Sequence, residues 1–147
     1  MSPTLDLLHR CSWRAECLFK ARGSFRIVLW LTLDAAGHRA QFETACTNAP
    51  PEASDAAVLE ALAAEMGEDF RRDGVVRFAV AYPGRATVLN RQFRCAVIEA
   101  HSDTQHMRAR REIIFSPART PMLGALSAIE SARSSLYAKL LLECVTA

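Results

Sequence analysis

From Phe25 to Asp34 the chain alternates. Phe25, Ile27, Leu29, Leu31 and Leu33 form one apolar row, and Arg26, Val28, Trp30, Thr32 and Asp34 form the other. A period of two is that of a pleated strand, with successive side chains on opposite faces. The turn Ala35-Ala36-Gly37-His38 follows, its glycine free to take positive φ, and leads into a second strand. Closed as a four-residue loop, this hairpin sets Asp34 opposite Arg39, Leu33 opposite Ala40, Leu31 opposite Phe42, Leu29 opposite Thr44 and Ile27 opposite Cys46. A one-residue slip would turn a whole apolar set to the other face, so register is a strong constraint.

The rest of the chain is organised around this hairpin. Upstream, Ser2-Pro3 opens a helix whose apolar stripe is Leu8, Cys11, Ala15 and Leu18, with Arg10, Arg14 and Lys20 mostly outside it, and Gly23 stops it. Downstream, Asn48 to Glu52 breaks the sheet. Ser54 then caps a helix running from about Asp55 to Asp73, with Val58, Leu62, Met66 and Phe70 along one side and Gly74 beyond its end. A third strand spans Val75 to Tyr82 and ends at Pro83-Gly84; Arg85 to Leu89 reads as a short further strand. Arg94 to Ser102 and Met107 to Phe115 form a second hairpin, and Ala118 to Leu126 a loop. Ser127-Ala128-Ile129-Glu130 has the form of a capping box and predicts a C-terminal helix carrying Ile129, Arg133, Leu136, Leu140 and Cys144 on one side. The order α-ββ-α-β(β)ββ-α lacks βαβ alternation. It predicts one α+β domain over residues 1–147, a mainly antiparallel sheet of five or six strands with an N-terminal, a central and a C-terminal helix on one face. The other face is then only partly covered, which makes Trp30 a candidate association anchor.

The chemistry-bearing stretch is Glu99-Ala-His-Ser-Asp-Thr-Gln-His106. With residues 103–106 as the loop, Glu99 faces Arg110 and His101 faces Arg108. Glu99, His101, Arg108, Arg110 and Glu112 then read as a solvated charge ladder on the polar face of the hairpin. His101, Ser102 and Asp103 are contiguous and point to alternate faces, so they form no triad among themselves. Glu99 and His101 share a face, but they are two groups where a zinc site wants three or four. A catalytic role requires a third polar group from elsewhere in the fold. Arg111 falls on the apolar face, a local conflict resolved by snorkelling at a sheet edge, by a buried acid, or by a different register.

Composition narrows the function classes. The 147 residues are half hydrophobic, enough for a substantial core. Eighteen basic against sixteen acidic side chains leave a net charge of only +2, not the field of a committed polyanion binder. Five cysteines without a CxxC pair read as reduced, intracellular thiols. No stretch approaches the roughly 20 apolar residues of a membrane span, and no P-loop, GxGxxG, HExxH or GxSxG motif occurs. The expectation is a cytoplasmic, non-catalytic protein-interaction or assembly module without cofactor, metal or membrane, a homodimer being its simplest form, with Trp30, Arg108, Arg110 and Arg111 contacting the partner. Two alternatives stand beside it: a nucleic-acid accessory protein using Arg108 and Arg110, and a small hydrolase-like or metal-dependent enzyme using Glu99 and His101.

Overall fold

The computed structural model describes residues 2–23, 27–45, 61, 66–115 and 121–131. Its elements are α1 (Pro3–Arg22), β1 (Ile27–Asp34), β2 (Arg39–Ala45), a helical stretch α2 (66–73), β3 (Val75–Val88), β4 (Arg91–His101), β5 (His106–Phe115), β6 (Pro121–Leu126) and the two-residue β7 (Glu130–Ser131). The strands form one antiparallel sheet in the order β2-β1-β3-β4-β5-β6, with β7 also paired to β5. The α+β class with a mainly antiparallel sheet therefore stands, with two helices among the described residues. Apart from residue 61, which is helical, the first half of the expected central helix, its Ser54 cap included, lies outside them.

Helix α1 forms where its end signals stand. The Ser2 hydroxyl accepts the Leu5 backbone N–H, Pro3 occupies the first turn, and Gly23 closes the helix at φ +69°. Its buried stripe, Leu7, Leu8, Cys11, Ala15 and Phe19, packs on Leu29, Leu31, Ala79, Ala81, Ala96 and Ile98. The opposite sheet face carries a second core. There Trp30, Phe78, Val80, Tyr82, Cys95 and Val97 pack with Met66 and Phe70 of α2. The helices thus lie on both faces, not on one. Strands β1 and β4 are apolar at both parities, Val28 and Trp30 behind Leu29 and Leu31, Cys95 and Val97 behind Ala96 and Ile98, and a strand of that kind is stable only when covered twice.

Both hairpin registers differ from the sequence expectation. In the first, Trp30 lies opposite Phe42, Leu31 opposite Gln41 and Leu33 opposite Arg39, one residue from the predicted pairing. Gly37 takes φ +87° and lets Asp34 pair with His38, so only three residues, 35–37, separate that pair. The Asp34 N–H donates to the His38 carbonyl at 3.1 Å. Asp34 uses its carboxylate inside the turn, accepting the Ala36 and His38 backbone N–H groups at 3.0 and 2.8 Å, rather than pairing with Arg39. In the second hairpin the loop is 102–105 and His101 lies opposite His106, so Glu99 faces Arg108 instead of Arg110. Ser102 sets that loop: its hydroxyl accepts the Thr104 and Gln105 N–H groups. A shift of two preserves parity, so Glu99, His101, Arg108 and Arg110 still share a face.

Two further expectations are corrected. Pro83-Gly84 does not end β3, which continues to Val88. The described pairing of β1 with β3 stops at Leu29 and Ala81, so among the described residues Pro83 has a ladder neighbour only on the β4 side, an edge-like position that tolerates proline. The segment expected as a loop before Leu126 contains β6, and Ser127-x-x-Glu130 does not start a helix. Ser127 instead accepts the Arg110 backbone N–H at 2.8 Å, and Glu130 belongs to β7. Residues 132–147 of the expected C-terminal helix lie outside the described residues.

The β3-β4 turn carries a local cost. Leu89 and Asn90 both have positive φ, 51° and 63°, the conformation of a tight two-residue hairpin turn that favours Asn-Gly. Leu89 is 95% exposed and makes no core contact to offset that strain. Replacing Leu89 by asparagine is expected to stabilise the fold by roughly 1 kcal/mol, read as a higher denaturation midpoint with an unchanged denaturant slope.

Candidate functional site

The one-residue register of the first hairpin has a consequence at the surface. It turns Arg39, Gln41 and Glu43 toward the same face as α1. The helix packs mainly over β1, β3, β4 and β6 and leaves β2 beside it. Between them runs a groove of about 280 Å³ lined by Leu7, Arg10, Trp13 and Arg14 of α1, Leu31 and Thr32 of β1, and Arg39, Ala40 and Gln41 of β2. Its floor is apolar and three guanidiniums stand on its walls. Arg10 is held by Asp6 at 2.8 Å, whereas Arg14 and Arg39 have no carboxylate partner among the described residues. Arg14 lies 5.0 Å from the centre of the Trp13 ring, and that tryptophan is 57% exposed. Such a surface can hold an anionic group through planar, bidentate arginine contacts while apolar parts of the ligand cover Leu7, Leu31 and the indole.

The residues singled out for chemistry sit elsewhere, and they are buried. Glu99 and His101 are fully enclosed, so the expected solvated ladder is not what forms. The Glu99 carboxylate is saturated: Oε1 lies 2.7 Å from His101 Nε2, and Oε2 accepts Tyr82 Oη–H at 2.6 Å and Arg108 Nε–H at 3.3 Å. Burial pushes the Glu99 pKa up. The hydrogen bonds and charges of His101, Tyr82 and Arg108 outweigh it and hold the carboxyl below the usual glutamate range. His101 Nδ1 is 3.1 Å from His106 Nδ1, with ring centroids 5.4 Å apart, so the two nitrogens lie close to the line joining the rings. One of the two Nδ1 atoms donates in this contact and the other accepts. The third polar group that a catalytic reading requires is thus present, but Tyr82, Glu99 and His101 present no surface to a substrate. The α1-β2 groove touches none of them, nor does a smaller cavity of about 170 Å³ beside Asp34, His38 and Phe70. No group of three metal-ligating side chains occurs among the described residues.

The expected partner contacts are largely occupied. Trp30 is fully buried, stacked on Phe42 at 6.2 Å and edge-on to Phe70 at 5.5 Å, and its indole N–H donates to the Thr44 hydroxyl. It is a core residue, and the covering helix removes it as an exposed anchor. Arg108 and Arg110 each face a carboxylate, Glu99 and Glu130 respectively, so β5 displays ion pairs rather than a bare cationic row. Arg111 resolves its conflict with a partly exposed acid rather than a buried one, and with backbone carbonyls. Its fork donates to Glu16 Oε1 at 2.9 Å, to the Gly124 carbonyl at 2.6 Å and to the Ser12 carbonyl at 3.3 Å, tying β5 to α1 and β6. The hydrogen bond from Arg111 holds the Glu16 carboxyl below its usual range.

The sequence reading missed Trp13 and Arg39 as neighbours. The available signal was weak: Trp13 stands outside the stripe of α1 beside Arg14 and three residues after Arg10, as any surface residue would. Cys11, Cys17 and Cys95 are free thiols, and burial pushes the Cys11 thiol well above its usual range. No helix among the described residues is long and apolar enough to cross a membrane. Searches of protein-family models, of curated proteins and of solved structures found no match, so this chain is placed in no family by resemblance.

Proposed function

We propose that this protein is a non-catalytic interaction module that receives an anionic partner in the groove between α1 and β2, in a cytoplasmic setting. The observation that carries the reading is the convergence of Arg10, Arg14 and Arg39 around an apolar floor and an exposed Trp13. Cations brought together from two separate elements raise the local potential although the net charge is only +2. The enzyme reading is weaker because the Glu99 and His101 pair is sealed. The nucleic-acid reading through Arg108 and Arg110 is weaker because both are paired.

Poly-glutamate at low ionic strength is the direct probe. It is expected to bind, to shift the fluorescence of Trp13, and to weaken with added salt. Reversing Arg14 and Arg39 together to glutamate is expected to weaken binding by about tenfold or more while leaving the unfolding midpoint nearly unchanged, since neither side chain is part of the core. Absence of binding by the native protein would remove the reading.

A further inference from the structure

We infer that the partner is an extended acidic segment of another protein, which adds as a strand to the outer edge of β2, unpaired among the described residues, and places alternate carboxylates over the α1-β2 groove. This rests on the anionic groove proposed above and specifies what fills it.

Three observations meet at this edge. Among the described residues strand β2 is the outermost in the sheet order, and Arg39, Ala40, Gln41 and Glu43 are exposed along it. An outermost strand has backbone N–H and C=O groups on its outer side that can pair with another chain. The two faces of the edge also differ in chemistry. On the α1 side stand Arg39 and Gln41, with Arg10 and Arg14 above them on the helix; on the other side stand Ala40, Phe42 and Thr44. An added strand continues the pleat, so its side chains alternate between these environments. Residues on the α1 side would meet two guanidiniums without carboxylate partners among the described residues, and those on the reverse side would extend the surface beside Phe42. The matching pattern alternates acidic and apolar residues. A second copy of β2 carries Arg39 and Glu43 together on the α1 side and so lacks the uniformly acidic row that suits Arg10, Arg14 and Arg39. Glu43 marks the far limit of the acidic subsite, since its own carboxylate, tied to Arg22 at 2.9 Å, would repel another. The acidic side chains are therefore placed near Arg39 and Gln41 rather than at the end of β2.

The test uses the full chain and a fluorescein-labelled octapeptide alternating glutamate and valine. A version methylated at every backbone nitrogen keeps the charges but has no donors, and a lysine-valine peptide serves as the charge control. The glutamate-valine peptide is expected to bind and to slow amide hydrogen exchange in residues 39–45; Arg39→Glu is expected to weaken it about tenfold. Full methylation is expected to weaken it by at least as much, and the lysine peptide is expected not to bind. Equal binding of the methylated peptide would overturn strand addition while leaving the anionic groove standing. Failure of both acidic peptides and of poly-glutamate would overturn the two together. Peptide binding that leaves exchange in 39–45 unchanged would place the ligand off the edge and defeat this inference alone.

Discussion

Replacing Glu99 by alanine is expected to destabilise the fold by about 3–5 kcal/mol, the largest effect anticipated for a polar residue here. The carboxylate is fully enclosed and accepts from Tyr82 and Arg108 while lying 2.7 Å from His101. Deleting it leaves a buried phenol and a buried imidazole without their acceptor, and each carries its own desolvation cost. The effect has a pH signature. Glu99 is held below the ordinary glutamate value, so its ionised form contributes stability fully above about pH 4.3, and that contribution is lost as pH falls through the depressed value. Denaturant unfolding of the native protein should therefore show stability falling on the acid side of that point. In Glu99→Gln, a milder change that keeps one carbonyl acceptor, this limb should be reduced. A Glu99→Ala protein within 1 kcal/mol of the native one would show that the network contributes little.

Arg111→Met is expected to cost roughly 2–4 kcal/mol. Methionine fills much of the same volume, so the loss reports the guanidinium. Its departure removes the 2.6 Å donor to the Gly124 carbonyl and the second donor to the Ser12 carbonyl, and the contact between α1 and β5 loses its polar tie. Glu16, by contrast, keeps 29% of its side chain in solvent and can rehydrate. Glu16→Gln should thus cost much less, about 1 kcal/mol, because Arg111 retains its backbone acceptors. The ordering of these two variants is the sharper measurement: equal losses would mean that the ion pair, not the backbone contacts, carries the tie. A double-mutant cycle gives the coupling directly.

How much of this was legible in the sequence depends on the range of the interaction. The Ser2-Pro3 and Gly23 ends of α1 are local, set by capping and by glycine's tolerance of positive φ, and they fall where expected. Strand parity is equally local, and Glu99 and His101 still share a face with Arg108 and Arg110 after the register shift because the shift was even. The registers themselves were missed: the conformations of Gly37 and the Ser102 loop determine how many residues each turn consumes. The candidate groove was not legible either, because one wrong residue in the first register moves Arg39 to the opposite face. Ser127-x-x-Glu130 misled because a capping pattern describes what a segment could satisfy locally, and pairing with β5 satisfied it otherwise.

Periodicity and end signals alone established an α+β chain, its first helix, and which residues within a strand share a side of the pleat, because those properties arise within a few bonds of the residue concerned. Whether a side meets solvent or a helix was decided only in three dimensions. Arg111 finds Glu16 across 95 positions and Ser12 across 99, and Glu99 with His101 became buried because that sheet face is enclosed rather than solvated. The two faces of an isolated strand are distinguished by composition alone, and where both are apolar, only packing partners distant in sequence determine what each one meets.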